Sequence, residues 1–188
     1  GWKDVPKELK KDSKLISYLL YKKNIEYKFI DDLINKKGLP KKFGFLPLIL
    51  SGYQSSYSSI KGGSGIWDLN YITALHHGLL MNRAIDQRRN DSISSVAAIN
   101  ELERLFKLYR DEKWCIMAFI YSPSYVQYSK QKMNNTGKYA DSLNSQYNDI
   151  VEFTDFLERL SFSNNNLEIK SNYSKLVQFK LNYDLTFD

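Results

Sequence analysis

The sequence predicts a mainly α single domain, interrupted near its middle by one Gly/Ser-rich loop. Three observations carry that expectation. Apolar residues recur at helical spacing in most segments. One stretch, SSYSSIKGGSG (55–65), is too dense in Ser and Gly for regular structure. The 188 residues, 43% hydrophobic and 26% charged, suit one domain and suffice to bury a real core.

The elements follow in order. KELKKDSKLISYLLYKKN (7–24) carries Leu15, Ile16, Leu19 and Leu20 on one helical stripe. EYKFIDDLINKKG (26–38) repeats the pattern with Phe29, Ile30, Leu33 and Ile34, with Gly38 as its C-terminal cap and Pro40 as its stop. FGFLPLILSGYQ (43–54) is a short helix with Pro47 in its first turn, where a missing N–H costs nothing. After the Gly/Ser loop, IWDLNYITALHHGL (66–79) reads as a short helix and a turn at Gly78. DSISSVAAINELERLFKLYRD (91–111) is the clearest helix. Asp91 or Ser92 caps it, and Val96, Ile99, Leu102, Leu105, Phe106 and Tyr109 form its apolar face. Glu101 and Glu103 alternate with that stripe and read as surface charges. EKWCIMAFIYS (112–122) is apolar all round and should be the buried central helix. QYSKQKMNNTGKYADSLNSQ (127–146) is polar and reads as a long loop, and YNDIVEFTDFLERLSFS (147–163) as a last helix. Residues 1–162 therefore form the domain, and 163–188 a tail packed on it or extending from it.

A net charge of +6 favours an anionic or neutral partner: nucleic acid, acidic lipid headgroups and cell-wall polymer all qualify. The basic residues are scattered, as in KKDSK and KKGLPKK, which argues against nucleic acid. Those runs read as solvated helix ends, with Lys36 and Lys37 favoured by the helix dipole. Cys115 is the only cysteine and lies among apolar neighbours without a cation, so it reads as an inert buried thiol. No apolar run approaches the roughly 18 residues needed to span a bilayer. The chain begins Gly1-Trp2 rather than Met, so removal of a targeting segment is expected.

From Leu39 to Asn90 the chain reads GLPKKFGFLPLILSGYQSSYSSIKGGSGIWDL, then NYITALHHGL, then DQRRN, with KWCIMAFIYSP and QYNDIV further on. This resembles the lytic transglycosylase and goose-type lysozyme family (glycoside hydrolase family 23), most of all the subgroup of membrane-bound lytic murein transglycosylase D. The family pattern runs GLP…LPLIES.F.P.A.S..GA.GLWQ, PST…G, D.RRD, W..A.AAYN.G and YVPK. The register holds from Leu46 to Leu79 without a gap, and the resemblance covers residues 5–160. It implies a lysozyme-like helical domain with the loop 54–66 bordering a cleft, and a periplasmic or cell-envelope setting in a bacterium.

The departures are chemical. The resemblance implies a single catalytic Glu that protonates the glycosidic oxygen and then deprotonates the muramic 6-hydroxyl. Leu50 stands at that position. General acid–base assistance is worth roughly 10²–10⁴ in rate, and a hydrocarbon supplies none. The family's Gln is Asp68, its Pro-Ser-Thr turn is Tyr71-Ile72-Thr73, its Asn of AYN is Ser122, and Pro123-Ser124-Tyr125 replace the glycines beyond. Ser51, Gly62, Gly65, Trp67, Gly78, Arg88, Arg89, Trp114 and Tyr121 match the scaffold.

The expectation is a transglycosylase-like pseudoenzyme that binds peptidoglycan glycan strands, or an envelope protein, without cleaving glycan. Ser51, Tyr53, Gly65, Trp67, Asp68, Tyr121, Ser122 and Tyr147 are the expected binding positions. The alternative is an active lytic transglycosylase or lysozyme-like hydrolase with a displaced acid such as Asp68. A third is a purely structural envelope subunit with a plugged cleft. No cofactor or metal is expected: His76 and His77 are adjacent and point different ways, and no ligand stands at spacing. GGSG lacks the lysine-containing phosphate-loop pattern. The 14 tyrosines include loop-borne Tyr53, Tyr57, Tyr121 and Tyr125, which leave room for a sugar or peptide site.

Overall fold

The structure, a computed structural model, describes residues 13–135. It is mainly helical, and no named strand occurs among the described residues. Among the described residues seven α-helices follow in order: α1 (Ser13–Tyr21), α2 (Lys28–Lys36), α3 (Leu46–Ser51), α4 (Tyr71–His76), α5 (Asp91–Tyr109), α6 (Glu112–Ile120) and α7 (Pro123–Asn135). The expected helix at 147–163 and the tail 163–188 lie outside the described residues.

Helix α1 does not end at Tyr21 but widens into a π turn, Lys22–Glu26, closed by the Tyr27 amide donating to the Lys22 carbonyl at 2.8 Å. Lys22 and Lys23, both within this turn, are buried. Lys22 Nζ donates to the Tyr53 carbonyl at 3.2 Å. Lys23 Nζ pairs with Asp31 at 2.6 Å and sits 4.4 Å over the Phe45 ring. Each buried ammonium thus has a partner, as burial of a charge requires.

Helix α2 buries Ile30 and Ile34 and stops as the sequence predicts. Gly38 takes the left-handed conformation (φ 63°), and the Leu39 amide reaches back to the Ile34 carbonyl at 3.1 Å. Lys37, at the end of α2, pairs with Glu103 on α5. A 3-10 turn (Lys41–Phe45) then leads into α3, with Pro47 in its first turn. Gly52 and Tyr53, both at φ 61°, end α3 and turn the chain toward the loop.

Helix α5 is capped by Asn90, whose side chain accepts from the Ile93 amide at 3.0 Å. This corrects the expectation of Asp91 or Ser92. The Asp91 carboxylate instead accepts from Tyr27 Oη (2.7 Å) and Ser55 Oγ (2.9 Å). Ile99, Leu102 and Leu105 face the core as expected, with Phe106 and Tyr109 packed against it, whereas Val96 is 49% exposed and Ala98 is buried. Glu101 is buried, which overturns its surface assignment: His77, just past α4, and Arg104 both reach it.

The two-residue link Arg110-Asp111 returns the chain from α5 into α6, which Asp111 caps by accepting from the Trp114 amide at 3.0 Å. Helix α6 is the buried central helix: Cys115, Ile116, Met117 and Ala118 lie in the core. Burial pushes the Cys115 thiol up to about 12, and its Sγ donates to the Leu102 carbonyl at 3.5 Å. The polar segment expected to be a loop from Gln127 is helical as far as Asn135. Ser122 and Pro123 supply its start: Ser122 Oγ accepts from the Tyr125 amide at 3.1 Å, and Pro suits a first helical position. Its polarity misleads because, among its described side chains, only Val126 and Ser129 are buried.

Candidate functional site

Helix α3 brings Leu50 to the edge of the core, half-buried and packed against it. The next residue, Ser51, is buried and ties α3 to the loop beyond: its Oγ donates to the Ile66 carbonyl at 2.7 Å. Residues 54–70 form consecutive turns held by isolated bridges, Ser58 with Ser64 and Ser64 with Leu69.

Two arginines lace this loop. Arg88 is fixed by a bidentate bond to Asp86 (2.9 and 2.8 Å), and its Nη1 donates to the carbonyls of Gly62 (2.9 Å) and Leu69 (3.1 Å). The planar guanidinium meets the carboxylate with two parallel donors and uses two more on these carbonyls. Arg89 donates to Ser64 Oγ (3.2 Å) and Ser58 Oγ (3.1 Å). Gly65 lies beneath them at φ 75°, and a Cβ there would sit 1.8 Å from the Arg88 carbonyl oxygen. Only glycine meets both demands.

The sequence-predicted positions divide into two groups. Ser51, Tyr53 and Trp67 are interior. Tyr53 stacks on Tyr27 at 4.4 Å, and Trp67 donates from Nε1 to Ser95 Oγ at 2.8 Å and meets Phe119 edge-on at 6.1 Å. Asp68, Tyr121 and Ser122 are each only partly buried. Tyr147 lies outside the described residues.

Asp68 has an unusual environment. It adopts φ 48°, and its Oδ1 is buried without a hydrogen-bond partner. Gly63 makes room for it: a Cβ there would come within 2.0 Å of that oxygen. Burial pushes the carboxyl up from its ordinary value, while a hydrogen bond from Ser59 and the charges of Lys61 and Arg88 partly oppose this. Tyr57 is pushed up by burial and by Asp68.

Across from the loop, Tyr121 and Tyr125 stack at 4.8 Å, and Lys61 Nζ stands 4.5 Å over the Tyr121 ring. Lys61 thus links Asp68 on the loop with the aromatic pair at the α6–α7 junction. The sequence reading missed Lys61. Its place before Gly62, at the tip of the Gly/Ser loop, is the available signal.

The arrangement offers a partly desolvated carboxyl, a cation and an aromatic pair, groups able to hydrogen-bond and to pack against a ligand. His77 is committed to Glu101 (3.0 Å) and packs edge-on against His76 at 5.0 Å. Among the described residues no three His, Cys, Asp or Glu side chains gather to hold a metal.

Over 89 residues, 47% of its length, the chain is 29% identical to "Membrane-bound lytic murein transglycosylase D" of Escherichia coli (strain K12). The protein of the same description from E. coli O6:H1 gives the same figures. Over 81 residues, 43% of its length, the chain is 32% identical to a "Putative tributyltin chloride resistance protein" of Alteromonas sp. (strain M-1). The chain spans one fifth (20%) of the length of the E. coli proteins and 39% of the Alteromonas protein. No protein-family model matches it.

Proposed function

We propose that the chain is a lytic-transglycosylase-like, non-cleaving module of the bacterial cell envelope that binds murein glycan strands, or an envelope protein, beside the loop 54–66. One observation carries this reading: at the position corresponding to the family's acid, Leu50 presents a hydrocarbon packed against the core. The similarity to murein transglycosylase D supports the ligand class. The laced loop and the Tyr121–Tyr125 stack support a retained binding surface. A periplasmic or envelope setting follows from the same ligand.

Purified murein sacculi test it. The unmodified chain should pellet with sacculi and release no soluble fragments. Leu50→Glu should restore release if the rest of the site is intact, because a positioned acid is worth roughly 10²–10⁴ in rate. The same exchange places a carboxyl in a half-buried site and should cost about 1–3 kcal/mol of stability. Robust fragment release by the unmodified chain would reject the reading.

A second reading is active cleavage with Asp68 as the acid. The buried, unpartnered Oδ1 and the upward shift of this carboxyl favour it, since a general acid must hold its proton near neutral pH. If the unmodified chain releases fragments and Asp68→Asn abolishes this, that reading replaces the first.

A further inference from the structure

Both faces of the Tyr121 ring are covered. Tyr125 stacks on it at 4.8 Å with the planes 29° apart, and Lys61 Nζ stands 4.5 Å over it. A stacked ring fills the face it lies on, so the ammonium takes the opposite one. A ligand that packs on Tyr121 must therefore displace Lys61 first.

Lys61 is fixed at its backbone and loose at its end. The Gly62 amide donates to the Ser59 carbonyl at 2.9 Å, and the Gly62 carbonyl accepts from Arg88 at 2.9 Å. The Ser59 amide donates to the Gly63 carbonyl at 3.1 Å, and Ser59 Oγ accepts from the Gly63 amide at 3.2 Å. These bonds hold the tip of the loop in place. The Lys61 side chain is exposed, and so is its neighbour Ile60 (105%), so no packed contact in the core is lost when the ammonium moves. The flexible stem of a lysine lets the charge swing while the loop stays.

Charge decides what moves it. Arg88 spends its guanidinium on Asp86 and two loop carbonyls, and Arg89 on the hydroxyls of Ser58 and Ser64. Among the described residues no hydrogen bond or ion pair engages the Lys61 ammonium, which has the Tyr121 ring instead. Residues 52–85 contain a single acid, Asp68, and one of its oxygens is buried. An exposed ammonium over a ring is weakly held, whereas a carboxylate offers it a charge-assisted hydrogen bond. A neutral sugar offers nothing of comparable strength.

We infer that Lys61 is a specificity-determining residue of the candidate site: it lies on Tyr121 until a carboxylate of the ligand draws it off, so that acid-bearing glycan uncovers the aromatic face and neutral glycan does not. This rests on the glycan-binding reading and deepens it by naming the chemical group that is read.

Two forms of one polymer test it: murein sacculi, and the same sacculi with their carboxyl groups amidated by carbodiimide and methylamine. The full chain should pellet with native sacculi and bind the amidated form roughly fivefold more weakly. Lys61→Ala should abolish that preference from both sides, losing affinity for native sacculi and gaining it for amidated ones, because the Tyr121 face is then uncovered. Lys61→Arg keeps a cation able to lie on the ring and should retain the preference. Lys36→Ala removes the same charge from an exposed position on α2 and should also leave the preference intact, which separates Lys61 from the overall charge of +6. Equal pelleting of both polymers by the unmodified chain, or an unchanged preference in Lys61→Ala, would overturn the inference while the glycan-binding reading stands. So would Lys61→Ala that loses native sacculi without gaining the amidated form. Pelleting with neither polymer would bring down the glycan-binding reading and this inference together.

Discussion

Asp68 is held in the fold at a cost. Burial raises its folded pKa above the unfolded value, so at neutral pH the ionised form opposes folding. That penalty is relieved as pH falls through the folded pKa, and it is gone below the ordinary aspartate range. Asp68→Asn should therefore raise Tm at pH 7, and the gain should fade as the solution is acidified. Glu101 behaves oppositely. Burial raises its pKa, but bonds from Arg104 (2.9 and 2.7 Å) and His77 (3.0 Å) outweigh this and leave it lowered. Its contribution is present above the unfolded glutamate pKa and lost as pH falls through the folded value. Glu101→Gln should cost about 2 kcal/mol at neutral pH by urea denaturation, with the deficit narrowing in acid. The two carboxylates also mark what single residues disclose. As an expectation from the family resemblance, Leu50 was legible because its neighbours hold a long register. Glu101 was not, because its burial is decided by His77 arriving from the turn after α4, a contact that the periodicity of α5 cannot encode.

At the level of elements, the helices were legible where apolar spacing and local capping agree. Helix α2 stops just before its glycine, α3 carries its proline in the first turn, and α6 is buried as its composition predicts. The misses have local causes. Helix α7 buries only Val126 and Ser129 among its described side chains, so its periodicity is faint. The π turn after α1 leaves no compositional trace, and two lysines in succession do not read as interior residues. The Gly/Ser loop was legible as a loop, but not as one laced by Arg88 and Arg89. That lacing makes a firm prediction. Gly65→Ala needs a left-handed backbone and drives a methyl into the Arg88 carbonyl. It should cost about 3 kcal/mol or more in urea denaturation. Murein pelleting should weaken along with stability if the loop is the binding surface.

For the molecule as a whole, the mainly α class was legible and the centre of the core was too. Helix α6 lies against α5 and α7, and α5 also meets α2 and α4. The candidate site was only half legible. Ser51 and Trp67, both buried and hydrogen-bonded in the interior, stand inside a register that sequence alone displays. The groups that give it chemical character, Lys61 over Tyr121 and Asp68 with its stranded oxygen, depend on how a loop folds across to a helix junction. Loops achieve that by turns and side-chain bonds, which carry no repeating pattern.

The depth of Cys115 has a practical corollary. Its thiol is pinned between helices α5 and α6 and keeps its proton far above neutral pH, so an alkylating reagent has neither access nor a thiolate to attack. Any adduct that forms records a moment when those helices had parted. One native side chain is thereby a chronometer for breathing of the interior, readable by mass spectrometry without installing a label.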